Sequence, residues 1–128
     1  MIWEIVALGI LLIIVHELGH AFAGIIIGKF KRFGFILKYF TPYVEFKTPL
    51  NIKQAIFGFS SGLIFSAPLA FGFDVFFPHE ISIYLLIWFS LGSYDLLMLH
   101  TVIKKIELNP FFKITDKTTF KINWDFYE

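Results

Sequence analysis

The chain has 128 residues, of which 57% are hydrophobic and 16% charged, against roughly 45–50% apolar and about 25% charged in an ordinary soluble domain. With a mean hydropathy of +0.73 it belongs in a membrane, and its length fits one domain, residues 1–128, with no room for a second soluble one. The net charge of +1 gives no reason to expect a nucleic-acid partner, and the absence of cysteine leaves imidazole and carboxylate to hold any metal.

The first expected span runs from about Ile2 to Gly28, and between Ile5 and Gly28 its only acid or base besides histidine is Glu17. That is long enough to cross a bilayer. Ala21-Phe22-Ala23 has the look of a signal-peptide cleavage site, but such a peptide begins with basic residues and this chain begins with Glu4. The apolar run is also too long for a leader. Glu4 itself reads as a charge at the outer interface.

Inside this span, His16-Glu17-Leu18-Gly19-His20 is an H-E-x-x-H sequence. On a helix the two histidines lie one turn apart and about 40° apart around the axis, so both imidazoles can reach one ion. Glu17 lies beside them, where its carboxylate can take a proton from water without being a ligand. Two histidines and a glutamate are costly in a membrane helix and need a task or a partner. The bland alternative is a polar knot between helices. Gly19, Gly24 and Gly28 keep the helix narrow, so a neighbouring helix can approach and bring a further ligand. For Gly24 and Gly28, plain packing between helices is the simpler expectation.

Residues 29–53 carry six Lys or Arg and one acid. Within them, two β-prone runs, Phe35 to Tyr39 and Tyr43 to Lys47, flank Phe40-Thr41-Pro42 and suggest a hairpin. Lys31, Arg32 and Lys38 place it at the cytoplasmic headgroup level. Its edge could hold an unwound substrate by strand pairing, or the hairpin could be only an interfacial anchor.

Span two is Ala55 to Phe73, a stretch of 19 uncharged residues interrupted by Pro68. The link from Asp74 to Glu80 has two acids and no Lys or Arg. Positive-inside reasoning therefore sets that link and the N-terminus outside, and the first loop and the C-terminus in the cytoplasm. His79-Glu80 starts a second half-motif, but Ile83 stands where its second histidine would fall, and it reads as loop.

Span three is Ile81 to Ile103, apolar apart from Asp95 and His100 and closed by Lys104 and Lys105. Catalytic zinc usually has three protein ligands and a water. His16 and Asp95 each lie about 14 residues into their spans, roughly 21 Å down at about 1.5 Å per residue, so Asp95 is the preferred third ligand. His100 competes, but it falls about 140° around the helix from Asp95 and nearer the interface, so both cannot face one metal. In the tail, Phe120, Ile122, Trp124 and Phe126 alternate with polar residues as in a half-buried strand.

Through His16-Glu17-Leu18-Gly19-His20 and an aspartate in a later span, the chain resembles the site-2 protease class of intramembrane zinc proteases. Ser61-Gly62 with Ala67-Pro68 is similar to that class's small-residue and proline segment. The class has glycine after its aspartate, whereas Leu96 follows Asp95 here. Gly92-Ser93-Tyr94-Asp95-Leu96-Leu97-Met98-Leu99 and the polar tail after Lys105 resemble a family of small zincin membrane peptidases over nearly the whole chain.

The spans and their loops make an all-α protein of the cell membrane with three transmembrane helices, and the resemblance implies that it is an intramembrane zinc metalloendopeptidase. It also implies zinc on His16, His20 and Asp95, Glu17 as the catalytic base, and a membrane-protein or peptide substrate. Two other classes stay open. One is a non-catalytic metal-binding or ion-transporting membrane protein, and the other is an inactive relative acting as an adaptor.

Overall fold

A computed structural model describes residues 2–36, 41–47, 50–104, 112–114 and 119–122 of the chain. Three helices dominate: α1 (Ile2–Ile26), α2 (Ile52–Phe76) and α3 (Ile83–Lys104). Each is long and apolar enough to cross a membrane. The expected spans are found within a few residues of their ends, and α2 continues through Pro68.

Apolar residues cover both sides of these helices. On α1, Ile10, Ile14, Leu18, Phe22 and Ile25 form an outward stripe, while Leu12, Ala21 and Ala23 face inward. A helix of a soluble protein keeps a polar face; one that is apolar all round belongs in hydrocarbon.

The helix ends are fixed by identifiable caps. Gly28 takes φ +71°, with its N–H bonded to Ile25 O (3.1 Å) and the Lys29 N–H to Gly24 O (2.8 Å). This is a Schellman stop, and glycine is the residue that adopts it without strain. Gly28 therefore ends the helix rather than packing against a neighbour, and an added Cβ there would meet nothing within 4 Å. At the start of α2, Asn51 Oδ1 accepts from the Gln54 N–H (2.8 Å) and Gln54 Oε1 from the Asn51 N–H (3.1 Å), a capping box. The Asp74 carboxylate, near the end of α2, accepts from the Tyr84 and Leu85 N–H groups at 3.3 and 3.2 Å. One helix thus supplies an anionic cap to the next.

From the Gly28 stop the chain enters a two-stranded antiparallel sheet, β1 (Phe30–Ile36) with β2 (Thr41–Phe46), in the register Phe30↔Phe46 to Ile36↔Thr41 with an irregularity between Phe30 and Arg32. The hairpin is present, but its first strand begins five residues before the expected Phe35. Thr41 and Pro42 belong to β2 rather than to the turn. Lys31 and Arg32 consequently lie within β1, because the helix stop turns the chain directly into a strand. Lys38, Tyr39 and Phe40 lie outside the described residues. A second sheet has the order β3-β5-β4, with β3 Leu50–Asn51, β4 Phe112–Ile114 and β5 Thr119–Ile122. The alternation in the tail thus marks a strand at 119–122, paired on both sides, whereas Trp124 and Phe126 lie outside the described residues.

Packing is organised around α2, which lies against both α1 and α3 far more extensively than those two lie against each other. At Gly19 an added Cβ would sit 2.7 Å from both Ser61 O and Phe65 Cβ, so bare backbone is what lets α1 and α2 meet. At Gly24 the neighbour is the hairpin, since Phe46 and Phe30 occupy the space a Cβ would need. The expected packing of Gly24 against another helix is therefore replaced by packing against a strand.

Two apolar clusters result. One joins Ala21, Val44, Phe46, Leu50, Ala55, Phe59, Met98 and Val102 at the hairpin end, and the other joins Leu12, Ala70, Phe73 and Tyr84 at the far end. At that far end Glu4 is more than an interfacial charge: its Oε1 accepts from Tyr84 OH (3.0 Å) and pairs with His79 Nε2 (3.1 Å).

On the hairpin, Glu45 is 2% exposed and pairs with Lys31 Nζ (3.1 Å) and with Arg32 Nε. Burial pushes its carboxyl upward, but the bonds and charges of Arg32 and Lys31 outweigh that and hold it below the ordinary carboxylate value. A lowered folded value means that this stabilisation is complete above the unfolded value of about 4.3 and is lost as pH falls through the lower one.

Two outcomes are expected in detergent micelles. Thermal unfolding should show Glu45→Gln less stable than the parent by on the order of 1–2 kcal/mol at neutral pH, with the gap closing below about pH 4.3. Gly19→Ala should cost about 1–3 kcal/mol through the clash with Ser61, whereas Gly72→Ala, whose Cβ would meet nothing within 4 Å, should be neutral or gain up to about 1 kcal/mol.

Candidate metal centre

Between the two apolar clusters α1 presents His16 and His20 inward, one turn apart, and α3 presents Asp95 opposite them. All three are buried, at 3%, 6% and 7% exposure. Three atoms converge: His16 Nε2 lies 2.8 Å and His20 Nε2 2.9 Å from Asp95 Oδ2, and the two Nε2 atoms are 3.1 Å apart. The imidazole rings stand nearly edge to face, at 79°.

The hydrogen-bond partner of His20 settles which nitrogen is available. Its Nδ1 is 2.7 Å from Gly58 O, and a carbonyl can only accept, so Nδ1 carries a proton and Nε2, turned toward Asp95 and His16, is the nitrogen left to bind an ion. A ligand histidine is usually oriented by a bond of this kind. Ser61 Oγ donates to the same carbonyl at 2.8 Å.

Three such donor atoms in an apolar interior repel one another unless something positive lies among them. Around tetrahedral zinc with bonds of about 2.0–2.1 Å, neighbouring ligand atoms stand about 3.3 Å apart, close to the observed triangle. Nitrogen and carboxylate oxygen are also the donors that zinc takes. The residues fit the ion. His16 Nδ1 is buried with no hydrogen-bond partner among the described residues.

Room for the ligands comes from α2. A Cβ at Gly62 would lie 2.5 Å from His20 Nε2 and 2.9 Å from His16 Cε1, so the glycine is the wall of the site. The expectation that the helix approaching Gly19 brings the third ligand is corrected here. That helix is α2, and it contributes Gly62 and the Gly58 carbonyl, while Asp95 arrives from α3.

The hairpin also reaches the site. Phe46, 3% exposed, lies edge-on to His20 with ring centroids 6.5 Å apart, in the space left by Gly24 and against Gly58.

Glu17 is partly buried and follows His16 on α1, close enough to His20, His16 and Asp95 to interact with them electrostatically. His100 is exposed and apart from the group, and His79 pairs with Glu4 at the far end of the bundle. Among the described residues, His16, His20 and Asp95 form the group of His, Asp or Glu side chains able to hold one ion. Gly58 and Phe46 escape sequence reasoning, and Gly62 enters it only as part of a small-residue segment, without its role as the wall of the site. The signal available for Gly58 and Gly62 is their four-residue spacing on span two, which matches that of the histidines.

The geometry agrees with a comparison to known proteins. A family described as putative zincin peptidase matches residues 9–107, which include both histidines, Glu17 and Asp95. No curated protein and no solved structure matches the chain.

Filling the glycine wall gives a direct test of the site. Gly62→Ala should weaken zinc binding at least about tenfold, the scale of losing an oriented ligand, when purified protein competes with a chromogenic chelator. Unchanged zinc affinity in that variant would show that the pocket lies elsewhere.

Proposed function

We propose that the chain, which belongs to the putative zincin peptidase family, is an intramembrane zinc metalloprotease that hydrolyses peptide bonds of membrane-associated proteins. What carries the reading is the meeting of His16, His20 and Asp95 within three helices long and apolar enough to cross a membrane, with Glu17 beside them. A soluble zincin has no need to put its ligands there. The reading extends to a relationship with the site-2 protease class, which combines these two features.

His16 and His20 would bind through Nε2 and Asp95 through Oδ2. Zinc held by them supplies a Lewis acid for a peptide carbonyl and lowers the pKa of water. The Gly58 carbonyl fixes the plane of the His20 ring, and Gly62 leaves the space in which both rings stand. Glu17 takes the proton of the attacking water on its carboxylate and delivers it to the nitrogen of the departing amine. The apolar clusters above and below keep bulk water away and strengthen each electrostatic contact.

The charges orient the molecule. The basic hairpin end faces the cytoplasm, and the end carrying Glu4, Asp74 and Glu80 faces outward. Substrate must unwind to expose an amide at this depth, and β2, which brings Phe46 to His20, is a nearby backbone against which an extended segment can pair.

Metal and cleavage should separate cleanly between two variants. Glu17→Gln should keep its zinc and lose cleavage of single-span substrates by about 10²–10⁴-fold, while His16→Ala should lose the metal itself. Cleavage at the parent rate by zinc-loaded Glu17→Gln protein rules out this mechanism.

A further inference from the structure

The ends of the bundle differ sharply in charge, and the hairpin end is built for contact with something anionic. Lys29, Lys31, Arg32, Lys47, Lys53 and Lys104 gather where α1 and α3 end, α2 begins and the hairpin lies. The acid among the described residues 29–53 is Glu45, which is 2% exposed and held inside. Its two partners are turned the other way, with Lys31 55% and Arg32 47% exposed. The buried carboxylate thus acts as an anchor that holds two cations outward. Lys47, Lys53 and Lys104 are exposed as well. At the opposite end Glu4, Asp74 and Glu80 stand with no Lys or Arg among the described residues.

Depth narrows what the basic end can meet. Three helices that cross hydrocarbon put their ends at the headgroups, so a hairpin that begins only three residues after the end of α1 lies there as well. Phe33, 56% exposed and packed against Phe30, gives the same strand an exposed apolar group as well as its cations. Cations interleaved with aromatic residues at this level match a surface of phosphate headgroups over acyl chains.

We infer that the hairpin end of this protein is a docking surface for anionic phospholipid headgroups, formed by Lys31, Arg32, Lys47, Lys53 and Lys104 around the buried Glu45. The inference rests on the membrane-spanning helices and stands whether or not the metal centre hydrolyses peptides. The strand that closes the surface also carries Phe46 to His20.

The test uses the full chain reconstituted in vesicles of equal phosphatidylcholine and phosphatidylglycerol, stripped gently in detergent, with retained lipid identified by native mass spectrometry. The protein should keep phosphatidylglycerol in preference to phosphatidylcholine, and raised sodium chloride during stripping should erode the preference. The triple variant Lys47→Gln, Lys53→Gln, Lys104→Gln should reduce it, by up to about fivefold per cation removed. These lysines lie outside the metal centre, and the parent's salt dependence provides a readout that needs no variant to fold. Millimolar inorganic phosphate should not displace the lipid, because a headgroup is held by the surface together with its acyl chains. Equal retention of the two lipids, a preference indifferent to both salt and the triple variant, or displacement by phosphate alone would each overturn the inference.

Discussion

Three electron-pair donors within about one zinc coordination sphere of each other, and far from water, are the constraint that organises this molecule. Nitrogen and carboxylate in hydrocarbon are costly, and three such atoms this close together need a proton or a cation among them. Everything near them lowers that cost or holds it in place. Gly58 offers a carbonyl to His20, Gly62 gives up its side chain so that both rings fit, and Phe46 closes the hairpin side. Apolar clusters on either side keep competing water out.

The division of labour among the helices follows from that constraint. The histidines share one helix because a spacing of four aligns them, while the aspartate has to come from another. α2 contributes no side chain to the group. It is the spacer, packed on both neighbours, and its small residues set how far apart the two imidazoles and the carboxylate stand. A larger side chain at Gly19 or Gly62 would shift that separation directly, which is why backbone contact, rather than the usual interdigitation of side chains, decides the geometry.

Much of this was legible from residue types alone. Charge inside an apolar run is rare enough that His16, Glu17, His20 and Asp95 announce themselves, and helical rise is regular enough for depth to match partners on different spans. The supporting groups were hidden for a physical reason: a carbonyl has no sequence letter, and a glycine's contribution is the absence of atoms. Gly24 was expected against a helix but meets Phe46 of a strand, because spacing shows that a residue is small and not what approaches it. The start of the first strand is not legible in residue types, since Lys31, Arg32 and Phe33 break a clean alternation and the stop at Gly28 sets where β1 begins. Glu4 illustrates another limit, as its partners His79 and Tyr84 are about 75 and 80 positions away in the chain.

The left-handed turn at Gly28 has a mechanical meaning. A long tether between helix and hairpin would leave the two loosely related, but here the join is the three residues Ile27 to Lys29, braced on one side by bonds from Gly28 to Ile25 and from Lys29 to Gly24 and on the other by the Lys47 N–H donating to Lys29 O at 2.6 Å. Helix and hairpin are therefore joined closely, and because Phe46 of that hairpin stands edge-on to the His20 imidazole, where the helix stops also sets which aromatic ring packs beside the buried histidine.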